Sequence, residues 1–189
     1  MKGHIAAVRD VLTVALEHDL YFKPEKCTFH APSMDYLGVI LEKGVTRMDP
    51  VKIAGINNWP TPKNLTQLCS GLRFFNFYRP FIKGFAQIAR PLNQLTKKTQ
   101  EWQWGQEEQE AFDKLKKLVT KDPILAHLNL TQQFEVEVDV SGYAVGATLL
   151  QWKEDRKKHP IRYFSATLNE AQRNYDIYDH ELLAIVRTF

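Results

Sequence analysis

Cysteine is nearly absent: Cys27 and Cys69 are the only two among 189 residues, and their spacing suits neither a disulfide framework nor a zinc site. That leaves a reduced, intracellular protein as the expectation. Long apolar runs are missing as well. The first apolar segment, Ile5 to Leu16, is broken by Arg9, Asp10 and Thr13, and no uncharged stretch approaches the roughly 20 residues that cross a bilayer, so no membrane is expected among the partners. No signal peptide, internal repeat or low-complexity tract is visible. The most informative scarcity is of acid. Between Arg47 and Lys98 there are nine Lys or Arg and one carboxylate, Asp49, a balance of +8; because the whole chain carries +3, the remainder carries −5.

What is present suffices for packed cores: 44% of residues are hydrophobic and 12% aromatic, in a chain long enough for one large domain or two small ones. The basic window interleaves its charges with Phe, Tyr and Trp, which is the footprint of a surface that follows a phosphate backbone. A solvated helical surface with an accidental bias is the alternative. Ile5, Val8, Val11, Leu12, Ala15 and Leu16 recur at helical spacing and predict an opening helix ending near His18 or Asp19. Extended pieces are expected around Tyr21 and around Cys27 to Phe29, with a turn at Lys23-Pro24. Met34 to Leu41 predicts one strand, paired across Glu42-Lys43-Gly44 with Val45 to Met48.

Asp49-Pro50 has the form of a helix start, and that helix must stop by Trp59 because Pro60 and Pro62 follow. Asn64 caps the next helix, with Leu65, Leu68, Leu72 and Phe75 on one stripe and Arg73 off it. Six aromatics crowd FFNFYRPFIKGF, Phe74 to Phe85, where Pro80 should end the helix and Gly84 mark a turn. A short helix from Ala86 to Leu95 restarts at Pro91, and Glu107 to Val119 is a stronger one, acids first and lysines last. Pro123 ends it, and Ile124 to Leu130 reads as a connector.

The function is best argued from FEVEVDVSGYAVGATLLQ, Phe134 to Gln151. Alternation points Phe134, Val136, Val138 and Val140 to one face and Glu135, Glu137 and Asp139 to the other. Ser141-Gly142 breaks the run, and a second strand follows. A third strand, Pro160 to Ala166, and a helix from Asp176 or Tyr178 onward complete a small α/β unit with a sheet face or edge left open. In that helix Glu181 lies among apolar neighbours, while Asp176 and Asp179 suit capping. Asp139 and Glu181 stand 42 positions apart. If the helix crosses the first strand they can meet, and paired carboxylates favour a hard cation such as magnesium or manganese. A half-buried hairpin with solvated acids is the plainer reading of the same residues.

Eight motifs in register decide between these. FKPEKCTF (Phe22 to Phe29), YLG (Tyr36 to Gly38), INNWPTPKNLTQL (Ile56 to Leu68), GLRFFNFYRPFIKGFAQIARPLNQLTKK (Gly71 to Lys98) and WQWGQEEQEAFDKLK (Trp102 to Lys116) are followed by FEVEVDVSGYAVGATLLQ, HPIRYFSATLNEAQRNY and YDHELLAIV. Together they resemble the reverse transcriptase and ribonuclease H polyprotein of gypsy-class LTR retrotransposons. The resemblance implies a mixed α+β and α/β chain: a palm-end β-hairpin, a helical thumb, then an incomplete ribonuclease H-like three-stranded sheet with a packing helix. It assigns 1–48 to the end of the polymerase palm, 49–98 to the thumb, 99–128 to a connector and 129–189 to the first part of the ribonuclease H domain.

The same resemblance implies Asp139 and Glu181 as catalytic and metal-binding carboxylates for two magnesium ions, with manganese possible, in RNA-strand cleavage of an RNA–DNA hybrid. It implies contacts to hybrid or template–primer duplex from Tyr36, Leu37 and Gly38, in a primer-grip-like hairpin, and from Arg73, Arg79, Lys83, Arg90, Lys97 and Lys98. A cytoplasmic particle or the nucleus is the implied location; the pattern sets no oligomeric state. Val140 replaces the usual Ala, and Pro80 replaces a common basic residue, which should weaken one phosphate contact. The resemblance also implies paired polymerase aspartates on a strand before the first helix and two further ribonuclease H acids downstream, and this sequence contains none of them. The expectation is therefore a fragment with little catalysis of its own, with a nucleic-acid-binding module or a non-functional genomic remnant as alternatives.

Overall fold

A computed structural model describes residues 2–121 and 123–188; Phe189, which closes the apolar helical pattern, lies outside the described residues. The chain forms two compact units, residues 1–32 and 33–189. In the first, α1 spans Lys2–Glu17. It ends as Leu20 N–H reaches back to the Ala15 carbonyl at 2.8 Å and Asp19 takes a left-handed φ of 55°. Only Ala15 of its apolar stripe is buried; Val11, Leu12 and Leu16 stay exposed. Between Tyr21 and Phe29 the chain forms a 3-10 turn, Pro24–Lys26, and no strand.

The second unit is mixed α/β. β1 (Ser33–Tyr36), β2 (Val39–Glu42) and β3 (Val45–Met48) form an antiparallel meander. The sequence predicts one strand from Met34 to Leu41, but the chain doubles back inside it. Leu37 and Gly38 take φ of 51° and 86°, both positive, as a two-residue hairpin turn demands. Apolar periodicity alone does not reveal such a fold, because Leu37 looks like a strand residue.

α2 (Pro50–Ala54) starts where expected, the Asp49 carboxylate accepting from Val51 N–H at 2.9 Å, and stops five residues in. α3 (Leu65–Phe77) is capped by Asn64, which accepts from Gln67 N–H at 3.0 Å. It buries Leu68, Gly71, Leu72 and Phe75; Leu65, the outermost member of the predicted stripe, is exposed. A 3-10 turn at Arg79–Phe81 follows, then Gly84 with φ of 67°, α4 (Phe85–Ile88) and α5 (Arg90–Gln94). α6 (Gln106–Thr120) packs Ala111, Phe112, Leu115 and Val119 against this group. The resulting core runs from Met48 to Leu125 and includes fully buried Tyr78, Phe75 and Ile56.

The expected connector after α6 instead holds β4 (Ile124–Ala126), which pairs antiparallel with β3. Three residues are too few to show an alternation, so only the waiting edge of β3 makes them a strand. β5 (Glu135–Val140), β6 (Ala144–Trp152) and β7 (Lys158–Thr167) form a separate antiparallel sheet in that order. After a single turn of helix, α7 (Glu170–Arg173), α8 (Ile177–Thr188) closes the chain. α8 covers the valine face of β5: Val138, Val140, Val145, Phe164, Leu168, Leu183 and Ala184 form a second core.

The opposite face is covered in part, over β7, while Glu135, Glu137 and Asp139 on it stay exposed. Ala86 N–H donates to Ser165 Oγ at 2.8 Å, the Arg79 guanidinium donates to the Ser165 carbonyl, and Tyr163 joins the main core. The outer edge of β5 has no partner strand among the described residues, so the expected open face or edge is present. No helix among them is long and apolar enough to cross a membrane.

Candidate carboxylate cleft and nucleic-acid interface

Asp139 is the last acid of β5, in register with Gly146 of β6. Immediately after it Ser141 closes a tight turn, its N–H donating to the Ala144 carbonyl at 2.9 Å while its Oγ accepts from Ala144 N–H at 3.1 Å. Glu181 lies in the second turn of α8, whose start is held by Asp176 accepting from Asp179 N–H at 2.9 Å. Asp176 thus takes the capping role its position predicts. With α8 laid across β5, Asp139 and Glu181 line one cleft of about 560 Å³, together with Ser141, Gly142, Ile177 and His180.

Both carboxylates are exposed. As oxygen donors they match magnesium or manganese in type. His180 shares the cleft, but its Nε2 is taken up by the Gln172 carbonyl at 2.6 Å. Among the described residues no group of three or more His, Cys, Asp or Glu is gathered as a metal cage. A cation here would hold two protein carboxylates and complete its shell with other oxygens. Asp139 also lines a smaller cleft of about 210 Å³, which brings in Lys83, Glu137, Thr148 and Phe164. The remaining acids of that face share one cation: Lys158 Nζ lies 2.6 Å from Glu135 and 3.7 Å from Glu137. Hydrogen bonds from Lys158 and then Trp152 hold the Glu135 carboxyl below its usual value.

The nine side chains of the expected nucleic-acid track are placed unequally. Arg73, Lys83, Arg90, Lys97 and Lys98 are exposed. Tyr36 and Leu37 project at the tip of the β1–β2 turn, Leu37 with 75% of its surface exposed. Gly38 is buried behind them, its carbonyl accepting from the Tyr78 hydroxyl at 2.8 Å. A Cβ on Gly38 would lie 2.5 Å from Lys52 Nζ and 3.4 Å from the Phe77 ring. Arg79 turns inward. It binds the Ser165 carbonyl, lies over the Phe85 ring at 5.3 Å, and burial lowers its pKa.

Arg90 lies over the Tyr143 ring, and Arg173 shares that ring. Neither Tyr143, Arg173 nor His180 stands out in the sequence as a site residue. Their nearest signal is position: each sits within a few residues of Asp139, the α7 cap or Glu181.

Residues 104–189 match the RNase H-like domain found in reverse transcriptase. The Tf2-3 and Tf2-4 transposon polyproteins of Schizosaccharomyces pombe are each 35% identical over 186 residues, 98% of this chain and 14% of theirs. The chain therefore spans about a seventh of the length of these curated relatives. Among solved structures, the foamy viral protease-reverse transcriptase in complex with RNA/DNA hybrid superposes with a TM-score of 0.77 at 19% identity, over 100% of this chain and 26% of that one. The same viral protein in complex with double-stranded DNA, in its dRH form, gives 0.74 at 19% identity, over 99% and 33%.

Proposed function

Because this chain, through residues 104–189, carries the RNase H-like domain found in reverse transcriptase, and aligns along 98% of its length with retrotransposon polyproteins, we propose that it holds an RNA–DNA hybrid or template–primer duplex and presents Asp139 and Glu181 to the RNA strand. One observation carries the reading: two carboxylates 42 residues apart, on a strand and on a helix, line the same solvent-open cleft. Exposed Arg73, Lys83, Arg90, Lys97 and Lys98 supply cations for a phosphate backbone. The foamy viral protease-reverse transcriptase, of similar fold, is seen with such duplexes.

In this proposal residues 1–48 are the end of a polymerase palm, 49–98 a thumb, 99–128 a connector and 129–189 the first part of a ribonuclease H domain. Asp139 and Glu181 would hold the divalent ions, whose chemistry when bound is activation of water and stabilisation of the departing oxygen. The chain's own residues do the placing: Ser141 fixes the turn after Asp139, Asp176 fixes the start of α8, and Lys83 sets a positive charge beside Asp139. With two carboxylates in the cleft, strong binding and little cleavage are expected of this chain.

The test is a labelled RNA–DNA hybrid titrated with the chain in magnesium at several salt concentrations, with Asp139→Asn alongside. Affinity should fall steeply with salt, because neutralising phosphates releases counterions. A flat salt response overturns the binding; rapid cleavage that vanishes in Asp139→Asn overturns the expected inactivity and leaves Asp139 in its role.

A further inference from the structure

Two cations share one aromatic ring at the base of the β5–β6 hairpin. The guanidinium carbon of Arg90, which opens α5, lies 4.4 Å from the centroid of Tyr143, and that of Arg173, which closes α7, lies 4.8 Å from it. Whatever their directions, the two charges are at most the sum of these distances, about 9 Å, apart. Like charges that close repel, and the ring's negative face offsets only part of the repulsion. No carboxylate among the described residues forms an ion pair with either. Arg173 spends its Nε on the Leu168 carbonyl at 3.2 Å, and the exposed Arg90 side chain, stacked on Tyr143, donates no hydrogen bond among the described residues. Most of the N–H groups of two planar forks are therefore left for an outside acceptor, and such forks match the oxygens of a phosphate in pairs.

The backbone that carries the shared ring is held in place. The Tyr143 carbonyl accepts from the N–H of buried Leu168 at 2.8 Å, and the next residue, buried Ala144, is bonded twice to Ser141. Tyr143 directly follows Ser141 and Gly142, which line the cleft of Asp139 and Glu181. An anion seated on the two arginines would therefore lie at the turn that leads out of that cleft.

We propose that Arg90, Tyr143 and Arg173 form a seat for one phosphate of a nucleic-acid backbone, fixing the register of the strand over Asp139 and Glu181. The identity of the strand rests on the function proposed above; the seat itself rests on the three side chains. A free phosphate has the same chemistry, and a purely structural clasp tying α5 and α7 to the hairpin is the competing account.

Two measurements on the full chain separate these. The first is hybrid affinity against salt concentration for wild type, Arg90→Gln, Arg90→Lys, Arg173→Lys and, as a control outside the basic window, exposed Lys114→Gln. Arg90 is exposed and its side chain makes no hydrogen bond among the described residues, so its replacement spares the fold. Arg90→Gln should weaken binding roughly tenfold and lower the logarithmic salt slope by about 0.9, the value of one phosphate contact. Lysine should restore the slope and only part of the affinity, since it lacks the fork. Lys114→Gln should change neither.

The second is titration of inorganic phosphate against the Arg Nε–H and Tyr143 ring signals by NMR. Arg90, Arg173 and Tyr143 should shift together, and the shifts should vanish in Arg90→Gln. Shifts with phosphate but no hybrid binding support the seat and sink the nucleic-acid reading. Normal hybrid binding with affinity and slope unchanged in Arg90→Gln and Arg173→Lys overturns the seat, leaves the clasp, and spares the proposed function. Binding of neither probe overturns the seat as well.

Discussion

Replacing Tyr78 by Phe removes a single oxygen from the centre of the fold. Tyr78 is fully buried, its ring meets Phe74 and Phe77 with centroids 4.9 Å away, and its hydroxyl donates to the Gly38 carbonyl at 2.8 Å across 40 residues of chain. The bond ties the end of α3 to the β1–β2 turn, and the packing survives the change. Its net worth is about 1 kcal/mol, and the carbonyl left unpaired in a buried site raises the cost to about 1–3 kcal/mol. Urea unfolding followed through the four tryptophans should show the midpoint falling by about 0.5–1 M with the slope unchanged.

The cost should also depend on pH. Burial first, then the charges of Asp49 and Asp35, raise the Tyr78 pKa above 10.0. The folded protein therefore keeps this proton more tightly than the unfolded chain, so the stabilisation is complete below about pH 10 and lost as pH rises through the folded value. The Phe variant lacks that dependence. The gap between the two proteins should stay constant from about pH 7 to 9 and narrow above pH 10. Burial raises the pKa of Tyr163 as well, but in both proteins alike, so it cancels. An unchanged midpoint at neutral pH, or a gap that persists through pH 11, refutes the reasoning.

Leu37 holds φ of 51° with its side chain in solvent, so Leu37→Asn should relieve a left-handed strain of about 1 kcal/mol. A higher melting temperature checks this, and a fall contradicts it. If the same variant weakens duplex binding, the apolar tip serves the interface. Arg79→Lys should cost about 1.5–3 kcal/mol, because the fork on the Ser165 carbonyl and the stack on Phe85 are both lost. Its hybrid salt slope should stay that of wild type; a slope reduced by about 0.9 would make Arg79 a phosphate contact instead.

Local chemistry was legible where the chain answers to its immediate neighbours. Asp49, Asn64 and Asp176 cap helices because an oxygen two or three residues ahead of free amides needs no other context. Gly84 turns because little else accepts its φ. The valine face of β5 and the apolar stripe of α6 are likewise periodicities that any core would bury.

What the sequence did not reveal arises where a partner far along the chain decides. β4 exists because β3 offers an unpaired edge, the strand at Met34 to Leu41 breaks because Gly38 is drawn to Tyr78, and Arg79 turns inward because Ser165 waits for it. The same division applies to the candidate site. The sequence by itself determined the candidates: Asp139 and Glu181 as carboxylates on a strand and a helix, and a basic window that suits phosphate. Only the tertiary structure decided which of them meet. Laying α8 on the valine face of β5 brings Glu181 to Asp139, and packing α5 and α7 beside the hairpin brings two arginines to Tyr143. Side chains dozens of residues apart become neighbours only through the burial of apolar faces, and no local pattern encodes that distance.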